Sequence, residues 1–104
     1  IPAKIKDNAG ADIFYRNLKD ILLKYAIKED LAVDIVLDIF NILKAETIVD
    51  WQKNNEVKRV ITNKLDDYLY DIVKTEKGVA LSVVDSQDIL STIMDLACNN
   101  YEIF

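Results

Sequence analysis

The sequence predicts an all-α domain, an irregular bundle of about four principal helices with short connectors, and three observations carry that expectation. Glycine and proline are scarce, two and one in 104 residues, so the chain lacks the breakers that loop-rich or many-stranded architectures need. Four stretches space their apolar residues three and four apart, the pattern of one buried helix face. Capping and stop residues bound those stretches: Asp12, Asn54 or Asn55, and Asp85 at starts, Gly78 and Asn99-Asn100 at ends.

Residues 1–11 read as a linker or extended N-terminal tail that closes on the turn signal Asn8-Ala9-Gly10, and residues 12–104 as a single C-terminal helical domain. The chain opens on Ile1 rather than Met, and IPAKIK is too short and polar for a signal peptide, so a larger parent chain is expected. A first helix from Asp12 to about Tyr25 buries Phe14, Leu18, Ile21, Leu22 and Tyr25, leaving Ile13 and Leu23 off that face. The second, from about Asp30 to Ala45, is apolar around most of its circumference and is therefore the central helix. Its polar side narrows to Asp30, Asp34, Asp38 and Asn41 along one stripe. These carboxylates climb the helix by about 6 Å per step instead of converging, so a solvated stripe that orients the helix is preferred to a metal site.

Thr47 to Trp51 reads as a connector. Trp51 either anchors it to the core or stands exposed to meet a partner. A long third helix runs from Asn54 or Asn55 to about Lys77, with Val57, Val60, Ile61, Leu65, Tyr68, Leu69 and Ile72 inward and Gly78 as its stop. The opposite face collects Arg59, Thr62, Asn63, Asp66 and Tyr70, and Lys64 is expected to pair with Asp67. After Gly78, VALSVV reads as an extended connector, followed by a fourth helix capped by Asp85. The tail Tyr101 to Phe104 either folds back on the core or docks elsewhere.

Net charge is −5 and the basic residues are local: residues 51–64 carry +3, whereas 29–50 carry −5 and 65–88 carry −4. A polyanion would be repelled by most of such a surface, so any DNA contact must come from Lys53, Lys58, Arg59 and Lys64. Histidine is absent, Cys98 is the single cysteine, and no glycine-rich phosphate loop occurs. This leaves no site for catalysis, cofactor or metal by sequence. Asp66 and Asp67, about 100° apart on a helix, cannot share a substrate atom. One unpaired cysteine fits a reducing compartment, and no apolar run approaches the roughly 20 residues of a membrane span.

The run VDWQKNNEVKRVITNKLDDYLYD resembles the C-terminal region of the motor and endonuclease subunit of type I restriction enzymes, most closely those of enterobacterial type IC systems. There an Asp-Trp pair precedes a helix ending in Asp-Asp-Tyr-Leu, matched here by Asp50, Trp51, Asn54, Val57, Asp66, Asp67, Tyr68, Leu69 and Tyr70. The resemblance implies a cytoplasmic bacterial parent that hydrolyses ATP with Mg in upstream domains, translocates DNA and cuts it. This segment would itself be non-catalytic, without a cofactor. It would dock the motor onto the methyltransferase and specificity subunits, with double-stranded DNA as an accessory contact. Its partner surface is expected to hold Trp51, Arg59, Asn63, Asp66, Asp67 and Tyr70. A free-standing helical adaptor unrelated to restriction is the alternative.

Overall fold

The computed structural model describes all 104 residues and is all-helical: α1 (Ala3–Lys6), α2 (Ala11–Lys24), α3 (Glu29–Glu46), α4 (Asn55–Tyr68) and α5 (Val83–Asn99). Single 3-10 turns lie at Trp51–Lys53 and Tyr101–Ile103, and α4 continues without a break as a π-helix over Leu69–Glu76. The four principal helices are those expected. α3 supplies Ala32, Val33, Ile35, Val36, Ile39, Phe40 and Leu43 to the core, more than any other element, as its apolar circumference requires. It packs on α1, α2 and α4, while α5 rests mainly on α2 and α4. The body measures 34 × 31 × 19 Å, two helix layers thick in its short direction, so each helix keeps a solvent face.

Four local expectations are corrected. The N-terminal residues do not form an extended tail: Ile5 is fully buried, and its burial in a short helical turn ties residues 3–6 to α2 and α3. Lys4 pairs there with Asp34 at 3.2 Å. Gly10 rather than Asp12 precedes α2, because the chain arrives in a left-handed conformation (φ 87°) hard against Phe40. Asp12 sits in the first turn and pairs with Arg16. α5 begins earlier than expected, with Ser82 as its cap: the Asp85 N–H donates to Ser82 Oγ and the Ser82 N–H donates to Asp85 Oδ2, both at 3.0 Å. Ser-x-x-Asp is thus a reciprocal capping box with Asp85 in its third position. Val83 and Val84 accordingly form the first turn of α5 and stand in solvent, while Leu81, buried, and Val79, half-buried, anchor the preceding connector on the core.

α2 ends in a Schellman motif, in which the Ile27 N–H reaches the Leu22 carbonyl and the Ala26 N–H the Leu23 carbonyl. The left-handed position falls on Ala26 (φ 61°), where a Cβ is unfavourable and glycine is the usual residue. At the far end the chain folds back. Phe104 stacks edge-on against Phe14 (5.4 Å between centroids) and Trp51 (6.1 Å), and lies tilted against Phe40 at 5.5 Å.

Two opposite outcomes are expected. Ala26→Gly stabilises the fold by about 0.5–1 kcal/mol, since Ala26 is exposed and loses no packing. Gly10→Ala destabilises it by about 1–3 kcal/mol, because an added Cβ would meet Phe40 Cζ at 3.2 Å in a left-handed backbone. Urea unfolding midpoints of the two variants against the parent chain check both.

Candidate interaction surface

The surface is set by how the chain enters and leaves α4. Asp50 adopts a left-handed conformation (φ 60°), and the turn it makes directs Trp51, only 2 % exposed, into the core beneath Phe104. Trp51 therefore anchors the connector, and it is removed from the expected partner surface. Its indole N–H finds no acceptor within the protein. The chain then starts α4 at Asn54, whose side-chain oxygen accepts the Val57 N–H at 3.1 Å.

Along α4, Ile61, Leu65 and Tyr68 point inward, and Leu69 and Val73 continue that line in the π-helix. Val73 was not in the expected stripe, while Val57, Val60 and Ile72 lie only half-buried. The wider winding is visible in its bonds. The Lys77 N–H donates to the Ile72 carbonyl at 2.7 Å, and Thr75 Oγ1 donates to the Tyr70 carbonyl at 2.9 Å, both across five residues. π-helical segments are rare and occur frequently at functional sites. Gly78 (φ 68°) then ends the element as expected.

Three tyrosine–carboxylate bonds hold the neighbouring helices. The Tyr68 hydroxyl donates to Asp38 of α3 at 2.6 Å, Tyr15 of α2 to Glu29 of α3 at 3.1 Å, and Tyr25 to Asp88 of α5 at 2.5 Å. The acidic stripe of α3 is thus not simply solvated, because Asp38 receives α4 and Asp34 receives Lys4. Burial, followed by the bond to Asp38, pushes the Tyr68 phenol well above its ordinary range. The Tyr25 bond, reinforced by Lys24, holds the Asp88 carboxyl below the usual range.

Of the expected outward face of α4, Arg59, Asn63, Asp66 and Tyr70 are exposed, Tyr70 by 61 %, whereas Thr62 is half-buried with its hydroxyl donating to the Lys58 carbonyl; Asp67 is exposed as well. The basic residues do not form a patch. Arg59 is held by Glu56 at 2.5 Å, and Lys64 pairs with Glu46 of α3 rather than with Asp67. Lys58 is half-buried, which leaves Lys53 as the exposed, unpaired member of the group. By contrast Asp66, Asp67 and Asp71 take part in no ion pair and no side-chain hydrogen bond.

These carboxylates crown a ridge between two grooves. On one side α3 and α4 enclose an open, mainly apolar trough of about 530 Å³ over Ile42, Ala45, Tyr68 and Ile72. On the other, α4 and α5 form a groove of about 260 Å³ between Asp66, Asp67 and Tyr70 and the first turn of α5 at Val83, Ser86 and Gln87. Sequence reasoning missed this second wall. Its signal was the spacing of Ser82 and Asp85, which as a capping box would have placed Val83 in a helical first turn.

The chain matches no protein family, no curated protein and no solved structure. No helix is long and apolar enough to cross a membrane.

Stability should respond to pH at both limits. The raised Tyr68 pKa makes its contribution complete below about pH 10, the unfolded value, and lost as pH climbs toward the folded one. The depressed Asp88 pKa makes its contribution present above about pH 4 and lost as pH falls through the folded value. Tyr68→Phe should cost about 1–2 kcal/mol near neutrality and flatten the alkaline limb. Asp88→Asn should flatten the acid limb. Urea midpoints from acid to alkaline pH measure both.

Proposed function

We propose that this chain is a non-catalytic assembly domain, and that it belongs to the motor subunit of a type I restriction-modification enzyme, docking an ATP-dependent DNA translocase and endonuclease onto its methyltransferase and specificity subunits. The observation that supports assembly most directly is the unpaired ridge of Asp66, Asp67 and Asp71 beside an exposed Tyr70. Asp34, Asp38, Glu46, Glu56 and Asp88 are taken up internally. Other carboxylates such as Asp7, Asp20 and Asp95 are also unpaired, and what marks Asp66, Asp67 and Asp71 is that they cluster within two helical turns beside Tyr70. An exposed aromatic flanked by unneutralised charge is a surface suited to a partner.

The residues behind the restriction-enzyme resemblance divide by role. Trp51, Tyr68 and Leu69 are core, so that part of the motif preserves the packing of α4 on α3. Asp66, Asp67 and Tyr70 are outward, and they are the part that a partner would read. DNA is the lesser contact in this reading. With Arg59 and Lys64 occupied by Glu56 and Glu46, Lys53 and Lys58 remain for phosphate.

Deleting residues 12–104 from the parent motor subunit should abolish its assembly with the methyltransferase core, measured by size-exclusion chromatography with light scattering, while the free motor stays folded. Full-strength assembly by the truncated subunit would refute the reading. For DNA, two phosphate contacts would give a salt slope of about −1.8, and a slope near −4 would restore Arg59 and Lys64 to the contact.

A further inference from the structure

We propose that the groove between α4 and α5 receives a lysine- or arginine-bearing segment of a partner protein, with one of its aliphatic side chains seated between Tyr70 and Val83. This deepens the assembly reading by naming the chemistry of the docked segment, and it rests on that reading only for the partner being a protein.

The groove is lined mostly by polar side chains, with Tyr70 and Val83 as its two apolar members, both open to solvent. Tyr70 is 61 % exposed and Val83 70 %, on two different helices that face each other across it. At about 260 Å³ the space falls below the ~300–1,000 Å³ of pockets that enclose small molecules, and suits one or two side chains.

Charge selects the occupant. Asp66 and Asp67 stand on the α4 wall, neither of them engaged by a cation, while Asp71 lines the trough on the other side. Lys74 is the one cation on the lining, and it lies over the Tyr70 ring, 5.3 Å from its centroid. A nucleic acid is repelled by this arrangement, as is an acidic peptide, whereas a basic segment gains the attraction. The neutral α5 wall adds Ser86 and Gln87, whose side chains can bond a peptide backbone.

The test uses the 104-residue chain and a short fluorescein-labelled peptide of alternating lysine and leucine. Its glutamate-leucine counterpart and a DNA duplex serve as competing probes. Anisotropy should show binding of the lysine peptide alone, and amide shifts in a ¹⁵N titration should centre on Tyr70, Val83, Ser86 and Gln87. Asp66→Lys with Asp67→Lys should weaken binding by about tenfold or more, and Tyr70→Ala should also weaken it. Asp7→Lys with Asp20→Lys, which alters net charge equally at two exposed sites away from the groove, should leave binding within about twofold.

Equal binding of the glutamate peptide, equal loss in the Asp7/Asp20 variant, or shifts centred elsewhere overturns the proposal. So does an absence of binding. The titration fails separately from the assembly reading: lost assembly on deletion without peptide binding rejects the basic segment alone, and peptide binding with assembly intact after deletion rejects the assembly reading alone.

Discussion

Four aromatic rings meet at one side of α3, and the path of the chain follows from that meeting. Phe40 presents its ring from the central helix, Phe14 approaches from α2 at 5.8 Å, Phe104 closes over both, and Trp51 reaches Phe104 from the connector. Edge-on contacts of this kind contribute roughly 0.5–1.5 kcal/mol per pair beyond the area they bury. Their larger effect is topological. Trp51 can reach the cluster only because Asp50 turns left-handed, and that turn fixes where α4 begins. Gly10 is favoured at the same place, since its backbone is left-handed and a Cβ there would crowd Phe40.

Once α4 is started by Asn54, the tyrosine–carboxylate bonds fix its rotation. Tyr68 cannot donate to Asp38 unless Ile61, Leu65 and Leu69 also face inward, so one polar bond and one apolar stripe agree on which side is solvent. An acidic protein gains from this arrangement, because each carboxylate paired with a lysine is one fewer unscreened repulsion and each one bonded to a tyrosine hydroxyl has its charge stabilised in place. Asp66, Asp67 and Asp71 stand outside those pairings, and the winding changes from α to π between Asp67 and Asp71.

Much of the candidate surface was legible because α4 is regular up to Tyr68. A repeat of 100° per residue places Arg59, Asn63 and Asp66 opposite Ile61 and Leu65 whatever surrounds the helix, and all three are exposed. Trp51 was not settled in this way, since it lies outside the regular helix and its direction depends on one backbone angle at Asp50. Lys64 illustrates another limit. Asp67 is its neighbour by helical spacing, yet Glu46 on α3, eighteen residues away in sequence, captures it. The α5 wall of the groove was hidden for the same reason, since Val83 and Tyr70 meet only through the packing of α5 on α4.

By itself the sequence determined the helical class, the order and approximate limits of the four principal helices, and which side of α4 faces water. All of these depend on interactions within a few residues: periodic burial, capping side chains and scarce glycine and proline. The tertiary structure decided the rest. It buried Ile5 and Trp51, folded Phe104 onto Phe14 and Phe40, redistributed the lysines among distant carboxylates, and brought Val83 across from Tyr70. Those outcomes join residues far apart in the chain. Such contacts gain their free energy only when the intervening helices have already packed, so no local pattern records them.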